Sequence, residues 1–136
     1  MMKRLILPAE TERMDEVLDF LNGELEERGC PMKTLAQISI AAEEIFVNIA
    51  HYAYAPDAGE AEITIEIEEK PLCAVIRFID VGKAFNPLNK PDPDITLDVE
   101  EREIGGLGIY MVKKSMDEVS YARENGRNIL EIRKRL

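Results

Sequence analysis

The stretch Ala61-Glu62-Ile63-Thr64-Ile65-Glu66-Ile67-Glu68, the break Glu69-Lys70-Pro71, and the run Leu72-Cys73-Ala74-Val75-Ile76-Arg77-Phe78-Ile79-Asp80 together decide the fold. In the first part Ile63, Ile65 and Ile67 alternate with polar neighbours, which predicts a strand buried on one side. The last part is almost continuously apolar and suits a central strand. A hairpin in the middle of the chain is therefore the scaffold on which the rest must pack.

Upstream of the hairpin, Lys3–Leu7 reads as a short strand stopped by Pro8. Between Glu10 and Arg28, residues Met14, Val17, Leu18, Leu21 and Leu25 recur at helical spacing, and Gly29 is a natural stop. A second helix starts near Pro31–Thr34 and runs to about Ala53, with the stripe Leu35, Ile38, Ala42, Ile45, Phe46 and Ile49. Pro56-Asp57-Ala58-Gly59 is a turn. Downstream, Phe85–Ile104 carries three prolines and many acidic residues. A loop of about 20 residues inside a compact domain is unusual and often serves as a lid. Gly105 to about Met116 is helical, and Glu118–Glu124 and Asn128–Lys134 pair around the hairpin turn Asn125-Gly126. Strand, two helices, two strands, lid, helix and two strands predict an α+β two-layer sandwich. Its mixed, mostly antiparallel sheet would carry the helices on one face, with residues 1–136 as a single domain.

Composition narrows the function classes. The 136 residues fit one domain; 46% are apolar and 32% charged, as in a soluble globule. No apolar run approaches the roughly 20 residues that span a bilayer. Met1–Pro8 is too short an apolar patch for a secretory signal. Cys30 and Cys73 form no metal-type pair, which suits free thiols in a cytoplasmic chain. A net charge of −10 argues against nonspecific binding to nucleic acid or an anionic membrane. Any polyphosphate would have to be held by local features.

Three short motifs supply such features. In the second helix, Glu44 and Asn48 are one turn apart, within about 40° of each other, and lie off the stripe of Ile45 and Ile49. An asparagine oxygen is a neutral hard ligand suited to magnesium, and the adjacent carboxylate could take a proton from a hydroxyl. A solvated helix face with an acidic pair is the alternative. Asp80 ends the apolar strand and Gly82 follows it; together they offer an acceptor for an exocyclic amine and room for a flat ring, or else an ordinary turn. Gly105-Gly106-Leu107-Gly108 opens the third helix, where bare N–H groups and the positive dipole end can approach phosphate, or where a hinge can pack closely. It is neither a P-loop nor a Rossmann fingerprint.

In order and spacing these pieces resemble the Bergerat (GHKL) ATP-binding fold of gyrase-type ATPases, sensor histidine kinases and anti-sigma-factor serine kinases. Glu44-Ile45-Phe46-Val47-Asn48 resembles its N box. Asp80-Val81-Gly82 with Phe85-Asn86-Pro87 resembles the first glycine box, and Gly105-Gly106-Leu107-Gly108-Ile109-Tyr110-Met111-Val112 the second. The match covers essentially the whole chain. Its length, Ala50-His51-Tyr52-Ala53-Tyr54 and the terminal hairpin look most like the small anti-sigma-factor kinases.

The resemblance implies ATP and Mg²⁺ as cofactors, with Glu44 as the base that activates a serine hydroxyl and Asn48 as the metal ligand. It implies Asp80 on the adenine amine, Gly82 beside the ring, and Phe85 in the nucleotide site. Gly105, Gly106, Leu107 and Gly108 would serve the phosphates, and Phe85–Ile104 would be the lid. The implied partners are an anti-anti-sigma (STAS-type) protein, a sigma factor and a second copy of the chain. Lys83-Ala84 stands where many relatives have a second glycine, and Asn86 where an acidic residue is common. Lys90 and Arg102 are both open as the γ-phosphate cation. His51 reads as a structural histidine bonded locally, and Tyr52 and Tyr54 as packing residues. An ATP-gated binding module that transfers nothing is the rival to a kinase.

Overall fold

The computed structural model describes residues 2–89 and 106–136. Five strands, β1 (Lys3–Pro8), β2 (Glu60–Glu68), β3 (Cys73–Asp80), β4 (Glu118–Glu124) and β5 (Arg127–Arg135), form one sheet in the order β1-β2-β3-β5-β4. Helices α1 (Met14–Glu27), α2 (Met32–Asn48) and α3 (Gly106–Ser115) complete the α+β sandwich. All four described pairings are antiparallel, so the mixed character allowed for the sheet narrows to a purely antiparallel one. Pro8 extends β1 beyond the expected stop. It can do so because β1 is an edge strand, where a missing N–H leaves no ladder bond unmade.

The period-2 pattern sets the two faces. Ile63 and Ile65 of β2, Ile76 and Phe78 of β3, and Leu130 and Ile132 of β5 point to the helices and are buried among Val17, Leu21, Ile38, Phe46 and Val112. Burying a side chain such as Phe46 or Phe78 stabilises the fold by about 1.5–3 kcal/mol before entropy is counted. The opposite face carries charge instead. Arg77 Nε lies 2.8 Å from Glu131, Arg133 Nε 3.1 Å from Glu131, and Arg133 Nη1 2.9 Å from Glu68. Their stems flank and shield Val75 and Thr64, which are buried on this outer face.

Helix ends follow local rules. α1 closes on Gly29 (φ 70°), with Gly29 N–H bonded to the Glu26 carbonyl and Cys30 N–H to that of Leu25, a Schellman pattern. Ahead of α1, Thr11–Arg13 is a 3₁₀ turn rather than α-helix. Asn125 and Gly126 both adopt positive φ, as the tight turn between β4 and β5 requires. The second helix does not run on to Ala53 as one α-helix. It ends at Asn48 and continues as a π-helical segment, Ile49–Ala53. The wider turn delivers the Ala53 carbonyl to Lys83 N–H at 2.9 Å, so the helix end is satisfied by the segment after β3.

Candidate functional site

A cleft opens between the end of α2 with its π-helical extension, the ends of β3 and β5, and the segment after β3. Ile45, Ile49, Phe78 and Leu130 give it apolar walls; Asn48, Asp80 and Asn128 supply its polar groups. Asn48, Asp80 and Phe85, far apart in sequence, thus share one cavity. Gly82 lies just beyond Asp80, with no room for a side chain. A Cβ there would sit 2.1 Å from the Ala53 carbonyl oxygen.

Asp80 is buried at the floor, 6% exposed. Its Oδ1 accepts from Gly82 N–H and from Asn128 Nδ2, both at 2.9 Å. Among the described residues no hydrogen bond uses Oδ2. Asn128 Nδ2 also donates to the Lys83 carbonyl at 2.7 Å. Asn128 Oδ1 accepts from the Tyr121 hydroxyl and, at 3.4 Å, from Phe85 N–H. Neither Lys83 nor Ala84 has positive φ, so the turn does not need the glycine missing there. Asn86 Oδ1 accepts Leu88 N–H at 2.9 Å and starts the short 3₁₀ turn Pro87–Asn89. An uncharged amide is enough for that task.

Glu44 lies on the other side of Asn48, in a groove between α2 and α3 lined by Ile40, Val47, Gly108 and Met111. The glycine matters here because of closeness: a Cβ on Gly108 would be 2.0 Å from Glu44 Cδ. Burial pushes the Glu44 carboxyl above its ordinary value, and a hydrogen bond with the Asn48 side chain pulls the other way. A carboxylate only accepts, so Asn48 can serve Glu44 only through its amide N–H₂, an orientation that leaves its carbonyl oxygen for another ligand. The Glu44–Asn48 pair therefore stands between the cleft and the groove.

Other expectations fare differently. Lys90, Arg102, Ile104 and Gly105 lie outside the described residues, as does most of the expected lid. Gly106 and Leu107 open α3, next to Gly108. His51 is exposed, edge-on to Tyr52 at 6.0 Å, and is not among the residues lining the cleft. Tyr52 is not a packing residue: it is 53% exposed and borders the cleft, because the π-turn swings it off the core face. Tyr54 is structural. Its hydroxyl donates to the Glu60 carbonyl and accepts Val81 N–H at 2.9 Å, tying the segment after α2 to β2 and β3.

This arrangement of an amide–carboxylate pair on α2, a buried aspartate ending β3 and a glycine opening α3 accords with the family comparison. The profile described as "Histidine kinase-like ATPase domain" matches residues 7–134. The chain belongs to that family. Relatives of this histidine kinase-like ATPase domain include proteins named serine-protein kinase RsbW from Bacillus cereus and Bacillus anthracis. Each is 29% identical over 126 residues, spanning 91% of this chain and 79% of its own. In structure, the chain resembles that of the RsbU and RsbW domains of a Mycobacterium tuberculosis protein, with a TM-score of 0.71 at 18% identity. All of this chain, but only 32% of that one, is covered, and the likeness speaks to the fold.

Sequence reasoning about the ATPase domain missed Asn128, Tyr121 and Lys83. Asn128 hides behind the Asn125-Gly126 turn, yet a signal was present. It precedes Leu130 and Ile132 at spacing 2, which puts a polar amide on the core face of β5. A buried polar residue is the informative exception in such a pattern.

Proposed function

We propose that this chain is a Mg²⁺-ATP-dependent protein serine/threonine kinase of the anti-sigma-factor type, a single cytoplasmic domain that works as a homodimer. It phosphorylates a STAS-type anti-anti-sigma partner and sequesters a sigma factor when that partner is not engaged. The observation that carries the reading is the Glu44–Asn48 pair standing between an apolar cleft floored by a buried aspartate and an open groove. The names of the Bacillus relatives point the same way.

The residues fit the nucleotide. Asp80 Oδ2 is the acceptor for the adenine amine, Gly82 keeps the turn beside the ring tight against Ala53, and Phe85 flanks the ring. The start of α3, Gly106 to Gly108, with Gly105 before it, offers N–H groups to phosphate oxygens at the positive end of a helix. Asn48 holds the metal through its carbonyl oxygen. Arg102 is the proposed lid cation. Bound Mg²⁺-ATP supplies the transferable phosphoryl group and neutralises its charge.

The chain's own part in transfer is positioning and one proton. The acceptor hydroxyl enters through the groove between α2 and α3, and the Glu44 carboxylate takes its proton. Burial suits Glu44 to that task, since a base whose proton affinity lies above an ordinary carboxylate's is better matched to a hydroxyl. Asn48 couples the two halves, because the amide that orients Glu44 also presents its oxygen to the metal.

The test uses ATP labelled at the γ-phosphate, a candidate anti-anti-sigma protein and the Glu44→Ala variant. Label should appear on a partner serine with the parent chain, and the rate should fall by about 10²- to 10⁴-fold in the variant while ATP binding persists. An unlabelled partner despite tight nucleotide binding would establish the rival, an ATP-gated binding module. Asn48→Ala should weaken binding only when magnesium is present.

A further inference from the structure

Asn128 is a strand residue with its side chain in the core layer, 6% exposed, yet all its hydrogen-bonding capacity is spent inside the cleft. Two donor bonds run to Asp80 Oδ1 and the Lys83 carbonyl, and two acceptor bonds come from the Tyr121 hydroxyl and Phe85 N–H. Turning the amide over would set its oxygen against the Asp80 carboxylate and the Lys83 carbonyl, three acceptors facing one another. The Tyr121 hydroxyl and Phe85 N–H would then face an N–H₂. The amide therefore has one orientation, and it imposes one on Asp80.

We propose that Asn128, held by Tyr121, is a positioning residue that sets the base selectivity of the cleft, so that it takes 6-aminopurine nucleotides and rejects 6-oxopurine nucleotides. The inference rests on the nucleotide reading given above. With Oδ1 filled by Gly82 N–H and Asn128 Nδ2, Asp80 presents a single acceptor, Oδ2. Adenine offers an N–H₂ at its 6-position and satisfies that acceptor. Hypoxanthine and guanine offer a carbonyl oxygen there, which would meet a carboxylate with no donor between them. The Asn128 amide cannot rescue such a base, because both its N–H groups are committed. A site whose polar groups are fully assigned discriminates more strongly than one with a spare donor, since the wrong ligand leaves buried groups unpaired. Without the amide, Asp80 would keep only the Gly82 N–H bond, water could take the vacated place, and the preference would fade.

The experiment measures ADP and IDP affinities by titration calorimetry with magnesium present, for the parent chain and for Asn128→Leu and Tyr121→Phe. The parent should prefer ADP by about 100-fold. Asn128→Leu should weaken ADP binding about tenfold or more and leave IDP binding within about twofold, so that the ratio contracts. Tyr121→Phe keeps the ring on the cleft wall and removes only the hydroxyl that locks the amide. It should contract the ratio in the same direction, by about two- to fivefold, and it decides the matter if Asn128→Leu does not fold. A merely structural role would lower both affinities by one factor; an unchanged ratio in the folded variants overturns this inference and leaves the nucleotide reading standing. A parent chain that binds neither nucleotide overturns both.

Discussion

Around Asp80 the protein gathers donors onto a carboxylate; around Glu44 it withholds them. Asp80 Oδ1 takes two hydrogen bonds, from Asn128 in β5 and from Gly82 N–H just after β3, and among the described residues the amide beside Glu44 is that of its own helix neighbour Asn48. The glycines beside the two acids differ in the same way. A side chain at Gly82 would strike the backbone carbonyl of Ala53, whereas one at Gly108 would strike only the movable end of Glu44. One acid is built to stay where it is and accept, and the other sits partly desolvated, in a position to exchange a proton. The first belongs to a binding surface and the second to a reaction.

The largest effect that separates the two ends is expected from Gly108→Ala. A Cβ at that site would be 2.0 Å from Glu44 Cδ, so the carboxylate must move, and the rate of phosphoryl transfer should fall by about 100-fold. Thermal stability should stay within about 2 °C of the parent, because flexible atoms yield cheaply and alanine suits a helix. A normal rate in this variant would show that Glu44 does no work where it lies.

Gly82→Ala should do the reverse. Its Cβ meets backbone, 2.1 Å from the Ala53 oxygen, and overpacking of this kind costs about 1–3 kcal/mol. A fall of about 3–10 °C in the melting midpoint, followed by circular dichroism, is the expected outcome. No loss of stability would mean that the π-helical segment and the turn after β3 can part without cost.

The smallest effect concerns pH. Burial raises the Glu44 pKa, so the folded state binds this proton more tightly than the unfolded chain does. The penalty for its charge is therefore absent below the ordinary carboxylate range. It grows as pH rises through the window between that range and the raised value. Glu44→Gln should melt about 1–2 °C above the parent near pH 7, and the two should coincide below about pH 4. The parent's transfer rate should drop as pH falls through the same raised pKa. An equal gap in melting point at both pH values would show that Glu44 is well solvated.

Much of this was legible in the chain. Ile63, Ile65 and Ile67 announced the inward face of β2, the stripe from Leu35 to Ile49 announced the buried side of α2, and Asn125-Gly126 announced the last hairpin. Helical geometry by itself pairs Glu44 with Asn48. Asn128 could not be given its partners in that way, since they come from β3, β4 and the segment after β3, up to 48 residues away. The end of α2 was misread for a related reason. Helical periodicity continues through Ile49–Ala53, and the partner that meets the end of the π-helical segment, Lys83 N–H, is supplied from elsewhere.

Patterns of period 2 and 3.6 are local, and they assigned the strands, the helices and the face each one buries. Those same patterns placed a carboxylate, an amide and a glycine-rich helix start in an order that points to a nucleotide. They are silent on which oxygen of Asp80 remains open, on how Glu44 is desolvated, and on why Tyr52 borders the cleft. Each of these depends on atoms brought within a few ångströms by sheet pairing and helix docking, and hydrogen bonds and burial act only at that range.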